Sequence, residues 1–270
     1  MIKNSDSNNL SKERRFIDIH CHCLPGLDDG PARLADSLVL CRALADDGVR
    51  TVIATPHQLG RFDGRNEPET ILNSVRNLNE HLSKANIAIT VLPGADIRID
   101  ERIPSLLKKQ RILTLADGGH YILLELPRDT FIDAGPLMRE LSASNITTII
   151  SHPERHRVLA AQPQRLLKWL EAGAHLQITA GSLLGHFGPQ AEKAGWFFLK
   201  RGWASFIASD AHDIKQRCPM MKAAFEKIRQ KIGQDLAHLL CIENPSRVIN
   251  AECLRPVDIP ECREVYNYEM

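Results

Sequence analysis

Short apolar runs rich in β-branched residues recur along this chain, and most are followed by polar residues and then by a helical pattern. The runs have the length of strands, and they recur roughly every 25 to 40 residues, which is the length of one βα unit. The predicted strands are residues 16–20, 49–55, 88–92, 120–125, 146–150, 175–179 and 204–208. Strands that alternate with helices predict an α/β fold with a parallel sheet.

Apolar residues at positions i, i+3 and i+4 predict helices in several of the intervals between these strands. The predicted helices are residues 36–48, 70–85, 136–144, 164–173 and 220–233. Polar residues recur at the end of nearly every strand, whereas a doubly wound sheet would concentrate them near one switch point. We therefore expect a parallel barrel rather than a doubly wound sheet.

Length and composition favour one globular domain. The chain has 270 residues, 43 % of them hydrophobic, and we expect a barrel domain at 16–255 between a polar N-terminal arm (1–15) and a C-terminal tail (256–270). A net charge of +1 argues against nucleic acid as a partner, and the longest apolar runs are too short for membrane insertion. Seven irregularly spaced cysteines and the lack of a signal peptide predict reduced thiols and a cytoplasmic protein.

The strongest sign of chemistry is the motif Asp18-Ile-His-Cys-His22 at the end of the first strand. Residues two apart on a strand face the same side, so His20 and His22 can point at one ion, with Asp18 one layer deeper. Glu125 ends a strand that reads as buried, and a carboxylate there needs a cation or hydrogen bonds. These three residues, His20, His22 and Glu125, are candidate metal ligands.

Further histidines and carboxylates follow other strands or lie in the loops after them. These candidate ligands are Asp29, His57, Asp96, His152, Asp210 and His212. Imidazole and carboxylate ligands suit Mn, Fe or Zn, and there are more of them than one ion needs, so two or three ions are expected with Glu125 between them. Clustered cations favour phosphoester hydrolysis, although amide and lactone hydrolysis stay open. Arg155 and Arg217 are candidates for binding an anionic substrate.

In this order the motifs resemble the PHP (polymerase and histidinol phosphatase) superfamily. Within it they look like the bacterial protein-tyrosine phosphatases that accompany capsule and exopolysaccharide synthesis. The resemblance covers about residues 16 to 220 and rests on Asp18-Ile-His-Cys-His22, Leu27-Asp-Asp-Gly-Pro31, Thr55-Pro-His57, Gly94-Ala-Asp-Ile-Arg98, Leu124-Glu-Leu-Pro127, Ser151-His-Pro-Glu-Arg155 and Ser209-Asp-Ala-His212.

The resemblance implies a distorted (β/α)7 TIM-like barrel, the PHP fold, with a trinuclear centre that usually holds Mn²⁺ (Fe, Zn or Mg being alternatives). It implies a first ion held by His20, His22, Glu125 and Asp210, and a second shared by Glu125 and His152. It gives Asp29, His57, Asp96 and His212 to the third ion or its surroundings. The family usually has glutamate where this chain has Asp96, so that ligand is one methylene shorter.

The reaction implied is attack on phosphorus by a metal-activated hydroxide, with Arg155 and Arg217 neutralising the phosphoryl oxygens and Asp210 or His212 assisting the leaving phenol. The implied substrate is a phosphotyrosine protein, expected to be the tail of a bacterial tyrosine kinase; an oligomer is compatible with the sequence. Cys21 and Cys23 have no arginine six residues on, which disfavours a cysteine nucleophile.

Three alternatives stay open beside this function. A small-molecule phosphatase of the histidinol-phosphate type would use the same barrel, and a non-catalytic regulatory barrel would be expected to lose ligands. A nuclease proofreading module is disfavoured by the near-neutral charge. The tail also suggests a hypothesis: Tyr266 and Tyr268, which have acidic neighbours, become phosphorylated or mimic the kinase tail.

Overall fold

The computed structural model describes residues 15–257, and all seven predicted strands are confirmed in it with ends that differ by at most two residues. Its strands are β1 (Phe16–Cys21), β2 (Val49–Ala54), β3 (His57–Gln58), β4 (Thr90–Pro93), β5 (Asp96–Arg98), β6 (Tyr121–Glu125), β7 (Thr147–Ser151), β8 (His175–Thr179) and β9 (Ala204–Ala208). Two short strands were not predicted: β3 follows β2, and β5 follows β4, each after a two-residue break. Proline in the first break and glycine in the second interrupt the ladder.

Helices cover the intervals between the strands. They are α1 (Leu34–Asp46), α2 (Pro68–Lys84), α3 (Ile103–Lys108), α4 (Gly135–Ala143), α5 (Arg157–Ala161), α6 (Leu167–Glu171), α7 (Ala180–Leu183), α8 (Pro189–Lys200), α9 (Met221–Lys231), α10 (Gln234–His238) and α11 (Asn244–Ile249). The five predicted helices are confirmed as α1, α2, α4, α6 and α9, but the one predicted at 164–173 begins as a 3-10 turn, Pro163–Leu166.

Helix α8 was missed because its sequence does not repeat the simple amphipathic pattern. Gly195 interrupts it, and the next residues are the aromatic run Trp196 to Phe198. The structure explains the glycine: a Cβ added to Gly195 would lie 3.1 Å from Leu183 Cδ2, so α8 packs closely against the end of α7. Tertiary packing therefore favours a residue that local propensity disfavours.

The strands form one parallel barrel. Strands β1, β2 and β4 are paired in one sheet, and β3, β5, β6, β7, β8 and β9 in a second, with every pairing parallel. Because β3 continues β2 and β5 continues β4, the closed ring has seven strand positions. It closes where Cys21 pairs with Ala211, next to hydrogen bonds from Asp210 N to His20 O (2.8 Å) and from His22 N to Ala211 O (2.9 Å). The expected distorted seven-stranded barrel is confirmed.

Successive residues of a strand point alternately to the inside and to the outside of the barrel wall. Leu123, Ile149 and Phe206 form a small cluster inside the ring, whereas Leu124 and Ile150 pack in the larger cluster that includes the helices. This division gives a core on both sides of the wall. It leaves the carboxyl ends of the strands, where polar residues accumulate, free to form a site.

Several expectations fall wholly or partly outside the described residues. These are the N-terminal arm (except residue 15), the tail beyond residue 257 with Tyr266 and Tyr268, and Cys262. The remaining six cysteines are free thiols. No helix within 15–257 is long and apolar enough to cross a membrane.

Candidate metal centre

All nine predicted metal ligands lie at the carboxyl end of the barrel. His20, His57, Asp96 and Glu125 belong to strand ends, and the others lie in the turns that follow β1, β7 and β9. Parallel strands in a barrel bring their carboxyl ends to one face, which is why residues from distant parts of the sequence meet here. The strand-end pattern in the sequence thus has a direct structural counterpart.

The nine residues form overlapping groups whose ligand atoms lie within 4.8 Å of one another. The groups are His22, Asp29, His57 and His212; His20, His152 and Asp210; His20, His22 and Asp96; and His57, Asp96 and Glu125. Four residues are shared between groups, so the groups make a single continuous cluster rather than separate sites. We call these nine residues the candidate metal centre.

The groups differ from the partition that the family resemblance implied. Asp96, rather than Glu125, lies with His20 and His22: its Oδ2 is 3.6 Å from His20 Nε2 and 3.4 Å from His57 Nδ1. Glu125 lies with His57 and Asp96 instead, its Oε2 being 3.7 Å from His57 Nδ1. The shorter side chain of Asp96 therefore still reaches the middle of the centre and contacts two of its groups.

The arrangement at β1 depends on an irregularity that the sequence did not reveal. The register of β1 against β2 shifts between Asp18 and Cys21. Ile19 packs inside the ring while Cys21 packs in the outer cluster, so regular alternation breaks between them. Asp18 does not join the ligand groups; its carboxylate accepts hydrogen bonds from the Ser209 hydroxyl (2.5 Å) and Ser209 N (3.0 Å). It thereby fastens β1 to the turn after β9.

Several buried polar atoms of the centre have no hydrogen-bond partner. Both carboxylate oxygens of Asp96, Asp210 Oδ1 and His212 Nε2 are in this state. Each such atom costs about 1–3 kcal/mol in a buried place unless something satisfies it. The Nε2 atoms of His20 and His22 also face each other at 3.2 Å. Divalent cations would satisfy all of these atoms, and an imidazole and carboxylate donor set suits Mn, Fe or Zn.

The second nitrogen of three histidines is already engaged, which directs Nε2 at the centre. His22 Nδ1 lies 2.6 Å from Asp28 Oδ2, and His20 Nδ1 lies 2.9 Å from Gln177 Oε1. His212 Nδ1 lies 3.0 Å from the carbonyl oxygen of Asp210. Acceptors at Nδ1 hold the proton there and leave the lone pair of Nε2 for a metal ion.

Sequence reasoning did not assign a role to Asp28 or Gln177. Asp28 has a recognisable signal, because it forms the first half of the Asp-Asp pair before Gly30, but we assigned only Asp29. Its Oδ2 also accepts a hydrogen bond from His57 N (3.1 Å), and its Oδ1 accepts one from Gly30 N (3.0 Å). Gln177 carries no such signal; it lies within β8, and its contact with His20 spans two strands of the ring.

Burial sets the protonation states that metal binding needs. It lowers the pKa of His22 to about 3 and holds the pKa of His152 well below its usual range. Neutral imidazole is the form of histidine that binds metal ions. Burial, together with the charge of Asp96, raises the pKa of Glu125 to about 7. A bound cation would oppose that rise by favouring the carboxylate.

Both predicted anion-binding arginines converge on one carboxylate. Arg155 Nη1 lies 2.5 Å and Arg217 Nη2 lies 2.6 Å from Asp210 Oδ2. The two side chains line a cleft of about 350 Å³ that also contacts Glu125 and His152. Two guanidinium groups therefore border the open side of the candidate metal centre.

The cysteines of the first motif are unsuited to nucleophilic attack. Cys21 and Cys23 are fully buried, and burial raises the pKa of the Cys21 thiol to about 11. Its Sγ donates to the carbonyl oxygen of Ala211, at the barrel closure. A reactive cysteine needs a lowered pKa and access to the substrate, and Cys21 has neither.

Comparison with known proteins agrees with this geometry. A family model described as capsular polysaccharide synthesis, CpsB/CapC, matches residues 16–250. The chain is 38 % identical over 226 residues to the tyrosine-protein phosphatase YwqE of Bacillus subtilis (strain 168), covering 83 % of this chain and 88 % of that one.

Solved structures support the same relationship. A chain from the structures of YwqE of Bacillus subtilis and CpsB of Streptococcus pneumoniae, described as metal-dependent tyrosine phosphatases, is similar with a TM-score of 0.85 and 36 % identity, covering 90 % of this chain and 98 % of that one. The lactonase Lmo2620 of Listeria monocytogenes (TM-score 0.52, 12 % identity, 88 % and 95 % coverage) shares the fold alone. The motifs and the barrel are those expected from the resemblance, and the chain belongs to the CpsB/CapC family of capsular polysaccharide synthesis.

Proposed function

We propose that this chain is a metal-dependent protein-tyrosine phosphatase. One observation carries the proposal: Arg155 and Arg217 meet at Asp210 on the edge of a cluster of nine histidine and carboxylate ligands. A guanidinium group can donate two hydrogen bonds to the oxygens of a phosphoryl group, and clustered metal ions favour phosphoryl transfer. The named activity of YwqE, a relative over most of the chain, supports the choice of phosphotyrosine as substrate.

We propose that two or three ions, Mn²⁺ in the first place, are held by the nine ligands. When bound, such ions lower the pKa of water and offset the negative charge of the phosphoryl oxygens. Arg155 and Arg217 would release part of their contact with Asp210 and bind the phosphoryl group from the side of the cleft. The Nε2 atoms of His20, His22 and His212 point at the centre and would serve as ligands.

We propose other roles for the two residues that we expected to supply acid. Asp210 Oδ2 accepts hydrogen bonds from both arginines, so we assign it to their orientation as well as to metal binding. His212 Nδ1 lies 3.0 Å from the carbonyl oxygen of Asp210, and its Nε2 points into the centre, so we assign His212 to metal binding. A phenol has a pKa of about 10, so it can depart as the phenolate when nearby positive charge stabilises it, which the bound ions or the arginines would supply.

The proposal is tested by phosphate release from a phosphotyrosine peptide by chelated protein, with and without added Mn²⁺. A phosphoserine peptide and histidinol phosphate serve as competing substrates. We expect Mn²⁺-dependent release from phosphotyrosine that is lost in His152→Ala and retained in His120→Ala, because His120 is an exposed histidine just before β6. Faster release from histidinol phosphate would instead support the small-molecule phosphatase, and no release from any substrate would support a non-catalytic barrel.

We further propose that the natural substrate is the phosphorylated tail of a tyrosine kinase of polysaccharide synthesis, and that the protein acts in the cytoplasm. The capsular polysaccharide family to which the chain belongs supports the first point. Reduced cysteines support the second, because the six cysteines in the described part of the chain are free thiols. Dephosphorylation of a purified kinase of that class tests the substrate directly.

A further inference from the structure

The cleft beside the candidate metal centre is lined by more arginines than the phosphoryl group needs. Besides Arg155 and Arg217, three other arginines contribute to its wall: Arg98, Arg128 and Arg157. Its acidic lining residues are Glu125 and Glu154. Glu154 is buried and accepts hydrogen bonds from Thr179 N and the Ser182 hydroxyl, so it does not face an incoming ligand freely.

Three of the five arginines are already engaged within the protein. Arg155 and Arg217 hold Asp210, and Arg98 Nη1 contacts the carbonyl oxygen of Leu126 (2.7 Å) and Glu125 Oε2 (3.3 Å). These three guanidinium groups therefore contact two carboxylates of the candidate metal centre, those of Asp210 and Glu125. They leave the outer part of the cleft to the two remaining arginines.

Arg128 and Arg157 differ from the others because they are exposed and weakly paired. Arg157 Nη1 lies 3.8 Å from Asp129 Oδ1, and these two side chains are 76 % and 62 % exposed. In residues 15–257 no carboxylate lies within ion-pair distance of the Arg128 guanidinium. Such exposed pairs contribute little to stability, so folding does not explain why two arginines stand at this rim.

The backbone holds the two arginines next to each other. Arg157 N donates a hydrogen bond to the carbonyl oxygen of Arg128 (3.0 Å). The adjacent His156 caps α5 by accepting from Val158 N (3.2 Å), and its Nε2 lies 3.2 Å from the carbonyl oxygen of Thr130. The loop after β6 and the start of α5 are thus fastened together. Arg128 and Arg157 therefore lie on the same side of the cleft, on two segments that are hydrogen-bonded to each other.

An aromatic wall completes the cleft. The Arg155 guanidinium carbon lies 4.6 Å from the centroid of the Phe187 ring, which lines the same cleft. The loop that carries Phe187 is tied to the loop of Arg217 by a hydrogen bond between the His186 ring and the carbonyl oxygen of Gln216. Arg155 already covers one face of this ring, so Phe187 would contact the ring of a phosphotyrosine by its edge.

We propose that Arg128 and Arg157 bind acidic side chains next to the phosphotyrosine, so that the preferred substrate is an acidic phosphopeptide. This proposal rests on the proposed phosphatase function and adds a substrate class to it. The two arginines are specificity residues rather than catalytic residues, since they lie on the rim and not among the metal ligands. Their contribution should appear in KM and in its salt dependence, because rim charges act mainly on encounter.

The test compares three substrates on the metal-loaded full chain. They are a phosphotyrosine peptide flanked by glutamates, the same peptide flanked by glutamines, and p-nitrophenyl phosphate. We expect the double variant Arg128→Gln/Arg157→Gln to raise KM for the acidic peptide about fivefold to tenfold, as expected for two exposed charge contacts. Values of kcat, and all values for the other two substrates, should not change.

Two further variants separate recognition from general effects. Arg76→Gln removes an exposed arginine on α2, away from the cleft, and should leave every value unchanged. Arg157→Glu should raise KM for the acidic peptide further and should lower KM for a lysine-flanked peptide. If the wild type hydrolyses p-nitrophenyl phosphate but does not distinguish the acidic peptide from the glutamine peptide, this inference is wrong while the phosphatase function stands. If no aryl phosphate is hydrolysed, the proposed function itself fails.

Discussion

Replacing Asp28 with asparagine would remove a charge that orients the candidate metal centre without changing the size of the side chain. Asp28 accepts three hydrogen bonds, from His22 Nδ1 (2.6 Å), His57 N (3.1 Å) and Gly30 N (3.0 Å). An asparagine offers one oxygen where aspartate offers two. Whichever way the amide turns, its NH₂ group faces at least one donor, so at least one of the three bonds is lost.

The size of the effect follows from the charge of Asp28, which is lost whichever way the amide turns and which strengthens the bond to His22 Nδ1. The Asp28 carboxylate keeps the His22 proton on Nδ1 and so presents Nε2 to the centre. Loss of such a partner typically weakens metal affinity about tenfold to a hundredfold, which corresponds to roughly 1.4–2.7 kcal/mol. We therefore expect Asp28→Asn to bind Mn²⁺ at least tenfold more weakly than the wild type.

Calorimetric titration of chelated protein with Mn²⁺ measures this change. Asp36→Asn is the matched control, because Asp36 is an exposed aspartate on α1 that is paired with Arg33. The control should bind Mn²⁺ as the wild type does, and thermal unfolding of the chelated variants should show that both are folded. Equal Mn²⁺ affinity in Asp28→Asn and the wild type would refute the role we give to the His22–Asp28 contact.

Three other substitutions test separate parts of the structure. Gly30→Ala would place a Cβ 2.3 Å from the carbonyl oxygen of His22. We therefore expect a displaced Asp28–Asp29 loop and at least a tenfold loss of kcat/KM for p-nitrophenyl phosphate. The control Gly118→Ala, whose Cβ would have its nearest neighbour at 3.5 Å, should leave kcat/KM almost unchanged. Asp96→Asn should lower the number of Mn²⁺ ions bound per chain in elemental analysis, because Asp96 takes part in two ligand groups; an unchanged number would contradict that position. Burial lowers the pKa of His175 to about 4 from 6.5, so the unfolded chain binds a proton that the folded chain rejects, and stability falls as pH drops from 6.5 towards 4. Urea unfolding of chelated protein measures the fall in the free energy of unfolding between pH 7 and pH 4.5. This fall should be about 2–3 kcal/mol smaller in His175→Asn than in the wild type. Equal falls would show that His175 is not responsible.

The barrel was predictable because each of its strands carries a local signal. The run from Tyr121 to Leu124 is apolar and fully buried, and it needs no distant contact to be recognised as a strand. The breaks between β2 and β3 and between β4 and β5 contain Pro56 and Gly94, but the sequence does not show that pairing resumes with a different neighbour after each break. Helix α8 was not predicted for a similar reason, because only the close packing against Leu183 explains a glycine at position 195.

The ligands were predictable from sequence, but their grouping was not. Ligands such as Glu125 and His152 lie at or directly after the carboxyl end of a strand, and these ends meet on one face of a parallel barrel. Which ligand lies beside which depends on register, and the register shift in β1 cannot be read from the motif. The same holds for Gln177, which contacts His20 only because β9 alone separates β8 from β1 in the closed ring.

The most direct test of the account measures Mn²⁺ content and phosphate release in the same titration. Chelated protein receives Mn²⁺ in steps, and each sample is analysed for bound ions and for phosphate released from a phosphotyrosine peptide. We predict no release without metal, and a rise in release that follows the binding of two or three ions per chain and is absent in His152→Ala. Full release by chelated protein, or saturation with Mn²⁺ without release from any aryl phosphate, would contradict the account.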